Sequence, residues 1–199
     1  MLELIFATNN AEKVKEVQSA IGKKVKVISL RDAAINIEIP EPYNTLEANA
    51  SEKSKTIYRI TGKNCFSEDT GLEVEELNGE PGVKSARYAG EENNAGKNIE
   101  KLLDCLSAFT NRKARFRTVI SLILGGNEYF FEGVCEGQII DHKRGLLGFG
   151  YDAVFVPSGS TRTFAEMEMT EKNMFSHRRK AADGLVLFLQ ELIHKARTN

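Results

Sequence analysis

The sequence lacks an apolar run long enough to span a bilayer, so no transmembrane helix is expected. It opens Met1-Leu2-Glu3-Leu4, without the basic region and apolar core of a secretory signal. An excess of one charge is missing too: 27 Lys and Arg stand against 28 Asp and Glu, a formal net charge of −1. That excludes a general attraction to nucleic acid or membrane, and any anion must be held by a local cluster. Cysteine is scarce. Cys65, Cys105 and Cys135 are odd in number and far apart, which excludes a redox or metal-type pair and fits a reduced, cytoplasmic chain. His142, His177 and His194 are equally dispersed, against a zinc site. No G-x-x-x-x-G-K-[ST] is present and no G-x-G-x-x-G follows the first strand, so neither a P-loop nor a dinucleotide fingerprint is available. Repeats, low-complexity tracts and linkers are absent. The 199 residues read as one α/β domain over 1–199.

What is present is organised around Cys65-Phe66-Ser67-Glu68-Asp69-Thr70-Gly71-Leu72. An apolar approach ends in two adjacent carboxylates, a hydroxyl and a glycine. The pattern reads as a strand that stops at an acidic edge and turns. Such an edge is either a solvated turn or a hard-oxygen site for Mg²⁺, with one carboxylate able to take a proton from water.

The other elements follow from periodicity. Residues 2–8 read as a strand, and 12–21 as a helix with Val14, Val17 and Ile21 at helical spacing, stopped by Gly22. At that helix start Asn10 is either a simple cap or, with Thr8, Asn9, Lys13 and the free backbone N–H groups, part of an anion site. Residues 25–30 read as a second strand. Ile35, Ile37 and Ile39 alternate up to Pro40-Glu41-Pro42, which holds Glu41 on a stiff segment. A helix is expected over 45–60, capped by an Asn44 and Glu47 pair, with Asn49 and Lys53 on one face. Residues 98–106 read as a helix and 114–135 as a hairpin about Gly125-Gly126-Asn127. A glycine loop spans 145–152, and a strand 153–156. A final helix runs from Ser176 to about residue 194. Its first turn, His177-Arg178-Arg179-Lys180, puts cations at the positive end of a helix, which makes sense if an anion sits over it.

Together these motifs resemble a known family. Ala7-Thr8-Asn9-Asn10-Ala11-Glu12-Lys13 is similar to the opening of the Ham1-like inosine triphosphate pyrophosphatases, the non-canonical purine NTP pyrophosphatases. Thr45-Leu46-Glu47-Ala48-Asn49-Ala50 with Lys53, the Ser67–Leu72 stretch, residues 81–90 from Pro81-Gly82 to Ala89-Gly90, Gly148-Phe149-Gly150-Tyr151-Asp152, Lys172 and Ser176-His177-Arg178 resemble the rest, in order, across almost the whole chain. Three departures stand out. Asn9 replaces a common glycine, Ala48 removes one acid, and Glu68 replaces an Asp with a longer reach.

The resemblance implies an elongated mixed β-sheet flanked by helices, two lobes with a central cleft, and a homodimer. It implies hydrolysis of ITP, dITP and XTP to the monophosphate and pyrophosphate with Mg²⁺. For that metal the candidate ligands are Glu41 on its stiff segment and Asp69 on the acidic edge, with Asp69 the candidate to orient or deprotonate water. Strand alternation sets Glu68 on the face opposite Asp69 unless the strand has already ended. Thr8, Asn9, Asn10, Lys13, Lys53, Thr70 and Lys172 would bind the triphosphate. Phe149, Gly150, Tyr151, Asp152, His177 and Arg178 would line the base pocket, with Phe149 stacking on the base and Arg178 donating to its oxygen. The rival readings are a Maf-like pyrophosphatase acting on pyrimidine or modified nucleotides, and a non-catalytic nucleotide-binding module.

Overall fold

The structure is a computed structural model and describes residues 2–22 and 25–198. In chain order the elements are β1 (Leu2–Phe6), α1 (Ala11–Ile21), β2 (Val25–Ser29), α2 (Leu46–Thr61), β3 (Cys65–Val74), β4 (Pro81–Gly82), α3 (Ala95–Cys105), β5 (Lys113–Leu124), β6 (Asn127–Ile139), β7 (Phe155–Pro157), α4 (Met169–Phe175) and α5 (His177–Thr198). Among the described residues the strands form one seven-stranded mixed sheet in the order β2-β1-β3-β5-β6-β7, with β4 paired to β3. The expected α/β class with a mixed sheet is what the chain forms. No described helix is long and apolar enough to cross a membrane.

Contacts gather into two compact units. The first comprises Met1–Asp69, Thr118–Gly133 and Arg178–Asn199. Here β1 lies parallel to β2 and to β3, with Leu4 opposite Val27 and Phe6 opposite Phe66. Parallel neighbours need crossovers, and α1 and α2 supply them. Side chains of a strand alternate between faces, and β1 sorts the core accordingly. Leu4 and Phe6 pack with Val17 and Ile21 of α1 and with Ala181, Leu185 and Leu189 of α5. Ile5 and Ala7 pack with Ile57 of α2 instead. The unit therefore has α1 and α5 on one face of the sheet and α2 on the other. Phe6 stacks on Phe66 at 4.5 Å between centroids, which locks β1 to β3.

The second unit comprises Thr70–Arg117 and Val134–His177. Leu72 and Val74 of β3, Ile99, Leu102 and Leu106 from α3 and its end, Phe116 of β5, Ile139 of β6, and Phe155 and Phe164 close its core. Gly71 and Gly82 meet where β4 pairs with β3. A Cβ on Gly71 would lie 2.8 Å from the Gly82 carbonyl oxygen, so only glycine permits this approach.

Four expectations need correction. β3 does not stop at the acids but runs through them to Val74. The alternating Ile35, Ile37 and Ile39 form no strand; their half-buried side chains pack against the Ile5–Ile57 core without a ladder. The cap of α2 is Thr45, whose hydroxyl accepts from the Ala48 N–H, rather than the pair at Asn44 and Glu47. The short helix α4 was not expected, because its sequence MTEKNMF carries too little apolar periodicity.

Candidate active site

The continuity of β3 decides the geometry of the two acids. Glu68 shares parity with Phe66 and points into the layer of α1 and α5. Asp69 shares parity with Cys65 and Ser67 and points toward α2. Ser67 marks that second face by donating its hydroxyl to the Ala50 carbonyl of α2. Adjacent carboxylates thus enter different layers, each with its own partners.

On the α2 side, Asp69 is 6% exposed. Its Oδ1 accepts from Lys53 Nζ at 3.1 Å and its Oδ2 from Asn49 Nδ2 at 3.3 Å. Asn49 and Lys53 are one turn apart on α2, so both reach the same strand. Lys53 Nζ also donates to Glu41 Oε1. Burial opposes the lysine's charge, but Asp69 and then Glu41 outweigh it and raise its pKa. Burial comes first for Asp69 and raises its pKa; Lys53 and Lys13 pull it back, while Glu41 pushes it further up. Asp69 is therefore a carboxylate of increased basicity held beside an ammonium group.

On the other side, Glu68 is 2% exposed and accepts from Arg178 Nε and Nη2 at 2.7 and 2.8 Å, with Lys13 Nζ 3.2 Å away. Arg178 also donates from Nη1 to Glu16 of α1. Burial alone would raise the Glu68 pKa; Arg178 and then Lys13 overturn that and hold it at about 2. Burial likewise works against Arg178, yet Glu68 and Glu16 raise its pKa. The buried cation at the start of α5, Arg178, is thus answered by carboxylates of the chain itself. Arg178, which the sequence offers as a donor to the base oxygen, is 2% exposed and engaged by Glu68 and Glu16.

At the first turn, Asn10 caps α1, its Oδ1 accepting from the Glu12 and Lys13 N–H groups at 2.9 and 3.2 Å. Thr8 Oγ1 accepts from the Asn10 N–H, and Asn9 Nδ2 donates to the Ile37 carbonyl. All of these belong to the first unit.

The remaining predicted residues lie in the second unit. Lys172 Nζ pairs with Asp152 Oδ2 at 2.6 Å and sits 5.6 Å from the Phe149 ring centroid and 5.2 Å from that of Phe164. Asp152 Oδ2 also accepts from the Phe149 N–H, and Gly148 leaves room for that carboxylate where a Cβ would strike it. Phe149, Gly150 and Thr70 are half-buried. Tyr151 is buried in the core with its hydroxyl on the Ser85 carbonyl, and His177 stacks on Phe116 at 4.7 Å.

Glu16 was missed. It reads as a polar position of α1, yet it lies three residues after Lys13 and one turn before Ala20, on the inward side. That spacing was the available signal.

Among the described residues no three His, Cys, Asp or Glu side chains gather as a metal cage. Mg²⁺ does not need one, since it is usually bound through one or two carboxylates and substrate phosphates. Glu41 and Asp69 meet that requirement: both already reach one cationic atom, Lys53 Nζ.

Buried carboxylates paired with lysines and an arginine, on a mixed sheet that in the first unit carries helices on both faces, define an α/β protein with a charged interior cluster. The profile of the Ham1 family matches residues 4–188, and the chain belongs to that family. It is 47% identical over 190 residues to a protein of Christiangramia forsetii named dITP/XTP pyrophosphatase, covering 96% of this chain and 100% of that one. It is 48% identical to a protein of the same name from Porphyromonas gingivalis, with 95% and 98% covered. Among solved structures it superposes on a Ham1 protein of Coxiella burnetii with a TM-score of 0.87 at 34% identity, covering 96% and 100%. The Staphylococcus aureus Ham1 protein gives 0.85 at 38% identity, covering 95% and 98%.

Proposed function

We propose that this protein hydrolyses the non-canonical purine nucleoside triphosphates dITP, XTP and ITP to the monophosphate and pyrophosphate, cleansing the nucleotide pool. The observation that carries the reading is the buried Asp69–Lys53 pair with half-buried Glu41 on the same lysine, in a chain whose near full-length relatives are named dITP/XTP pyrophosphatase.

The reaction joins a water oxygen to the α-phosphorus and breaks the bond from that phosphorus to the oxygen bridging to the β-phosphorus. Asp69 orients the water and takes its proton, a task for which a pKa raised by burial suits it. Glu41 and Asp69 are the residues that would hold Mg²⁺. When bound, the ion supplies Lewis-acid polarisation of the phosphoryl oxygens and charge neutralisation for the leaving pyrophosphate. Lys53, Lys13 and the first turn of Thr8, Asn9 and Asn10 bind the phosphates and offset their charge. Thr70 adds a hydroxyl to the proposed phosphate contacts. Phe149 and Gly150 contact the base, Asp152 and Lys172 hold that loop in shape, and Tyr151 and His177 back it. Arg178 acts through Glu68 and Glu16. From the resemblance alone we add that residues 1–199 work as a single domain in a cytoplasmic homodimer.

The test is pyrophosphate release from dITP, XTP, ITP, GTP, ATP and dTTP, with Mg²⁺ and with chelator. The reading predicts release from the first three, lost on chelation, and little from the others. Release from pyrimidine substrates, or nucleotide bound without turnover, overturns it.

A further inference from the structure

Asn49 bonds one proposed metal ligand, Asp69, and the backbone two residues beyond the other, Glu41. It lies on α2 one turn before Lys53 and is 1% exposed. Its Oδ1 accepts from the Tyr43 N–H at 2.9 Å, and its Nδ2 donates to the Tyr43 carbonyl at 3.0 Å and to Asp69 Oδ2 at 3.3 Å. The orientation of the amide is fixed by this pattern. Only the oxygen can accept from the Tyr43 N–H, which leaves the two hydrogens of the nitrogen for the carbonyl and the carboxylate. Tyr43 is two residues from Glu41, across Pro42, whose ring restricts the intervening backbone. One amide side chain therefore grips the backbone that carries Glu41 and the carboxylate of Asp69 together.

We infer that Asn49 is a positioning residue: it sets the separation of the Glu41 and Asp69 carboxylates and so prepares them to share one divalent cation. The inference rests on the metal reading above, and it assigns Asn49 no contact with substrate. Its neighbour Lys53 reaches the same two carboxylates but has a different task. A lysine neutralises charge and has no acceptor, so it cannot fix the Tyr43 peptide. Groups that orient metal ligands from behind typically change metal affinity by about 10- to 100-fold when removed.

The experiment is calorimetric titration of Mg²⁺ into the nucleotide-free protein, run beside steady-state hydrolysis of dITP. Asn49→Ala is expected to weaken Mg²⁺ binding at least about tenfold. The metal concentration for half-maximal activity should rise in parallel, while the KM for dITP at saturating metal stays near wild type. Asn49→Ser, smaller but polar, gives the same readout if the alanine variant folds poorly. Ser54→Ala on the same helix removes another buried polar group, whose hydroxyl bonds that of Ser121 at 2.6 Å rather than Glu41 or Asp69. It should lower stability and leave metal affinity unchanged. Wild-type metal affinity in folded Asn49→Ala or Asn49→Ser overturns the inference alone. Failure of the wild-type protein to bind Mg²⁺, together with dITP turnover that chelator leaves unchanged, overturns the metal reading and this inference with it.

Discussion

Two neighbouring residues, Glu68 and Asp69, carry the same charge and do different work because one faces α1 and α5 and the other faces α2. Asp69→Asn keeps the shape of the side chain and removes its basicity. Pyrophosphate release should fall about 10²- to 10⁴-fold, the usual contribution of a general base, with stability within about 1 kcal/mol of wild type. A near-normal rate would remove Asp69 from the chemistry. Glu68 should show itself in the pH dependence of folding. Its folded-state pKa of about 2 lies below the ordinary 4.5, so the charged form is favoured in the folded chain. The resulting stability, about 3 kcal/mol for a shift of that size, is fully present above pH 4.5 and is lost as pH falls toward 2. Denaturant titrations across that window should show the loss in wild type and its absence in Glu68→Gln. Arg178→Ala leaves Glu68 and Glu16 buried without their shared cation. It should cost about 3–5 kcal/mol in unfolding free energy, a large effect that a role in base contact alone would not produce.

At the scale of elements, β3 matters most, and it is where the sequence misleads. Local reading takes two acids followed by Thr-Gly as the end of a strand, since exposed acids favour turns. The acids remain inside β3 because Arg178, 110 residues away, answers Glu68 while sharing its guanidinium with Glu16, 162 residues away, and because Lys53 answers Asp69. No window of sequence contains that information. By contrast β1, α1, β2 and the hairpin of β5 and β6 were legible, because their apolar periods match one buried face and Asn10 and Gly22 mark the limits of α1. The motifs of the candidate site were legible for the same reason that the first turn was: they are contiguous. Glu16 and the duty of Arg178 were not, because each depends on a partner distant in the chain. The close approach of β3 to β4 gives a test. Gly71→Ala would set a methyl group against the Gly82 backbone, which cannot rotate away, and should destabilise by about 1–3 kcal/mol in thermal or denaturant unfolding. Unchanged stability would mean that β4 is free to shift.

For the whole molecule, folding and catalysis draw on different groups. The cores of both units are apolar and owe nothing to a metal, whereas Glu41, Lys53 and Asp69 form a polar cluster apart from them. Chelation should therefore stop pyrophosphate release while leaving the circular dichroism spectrum and the unfolding midpoint nearly unchanged. The central claim concerns which bond is broken. The most direct measurement is hydrolysis of dITP in heavy-oxygen water, followed by mass spectrometry of both products. Water delivered by Asp69 to the α-phosphorus places the label in the monophosphate and none in the pyrophosphate. Label in pyrophosphate or in free phosphate would mean attack at a different phosphorus, and would contradict the mechanism proposed for this site.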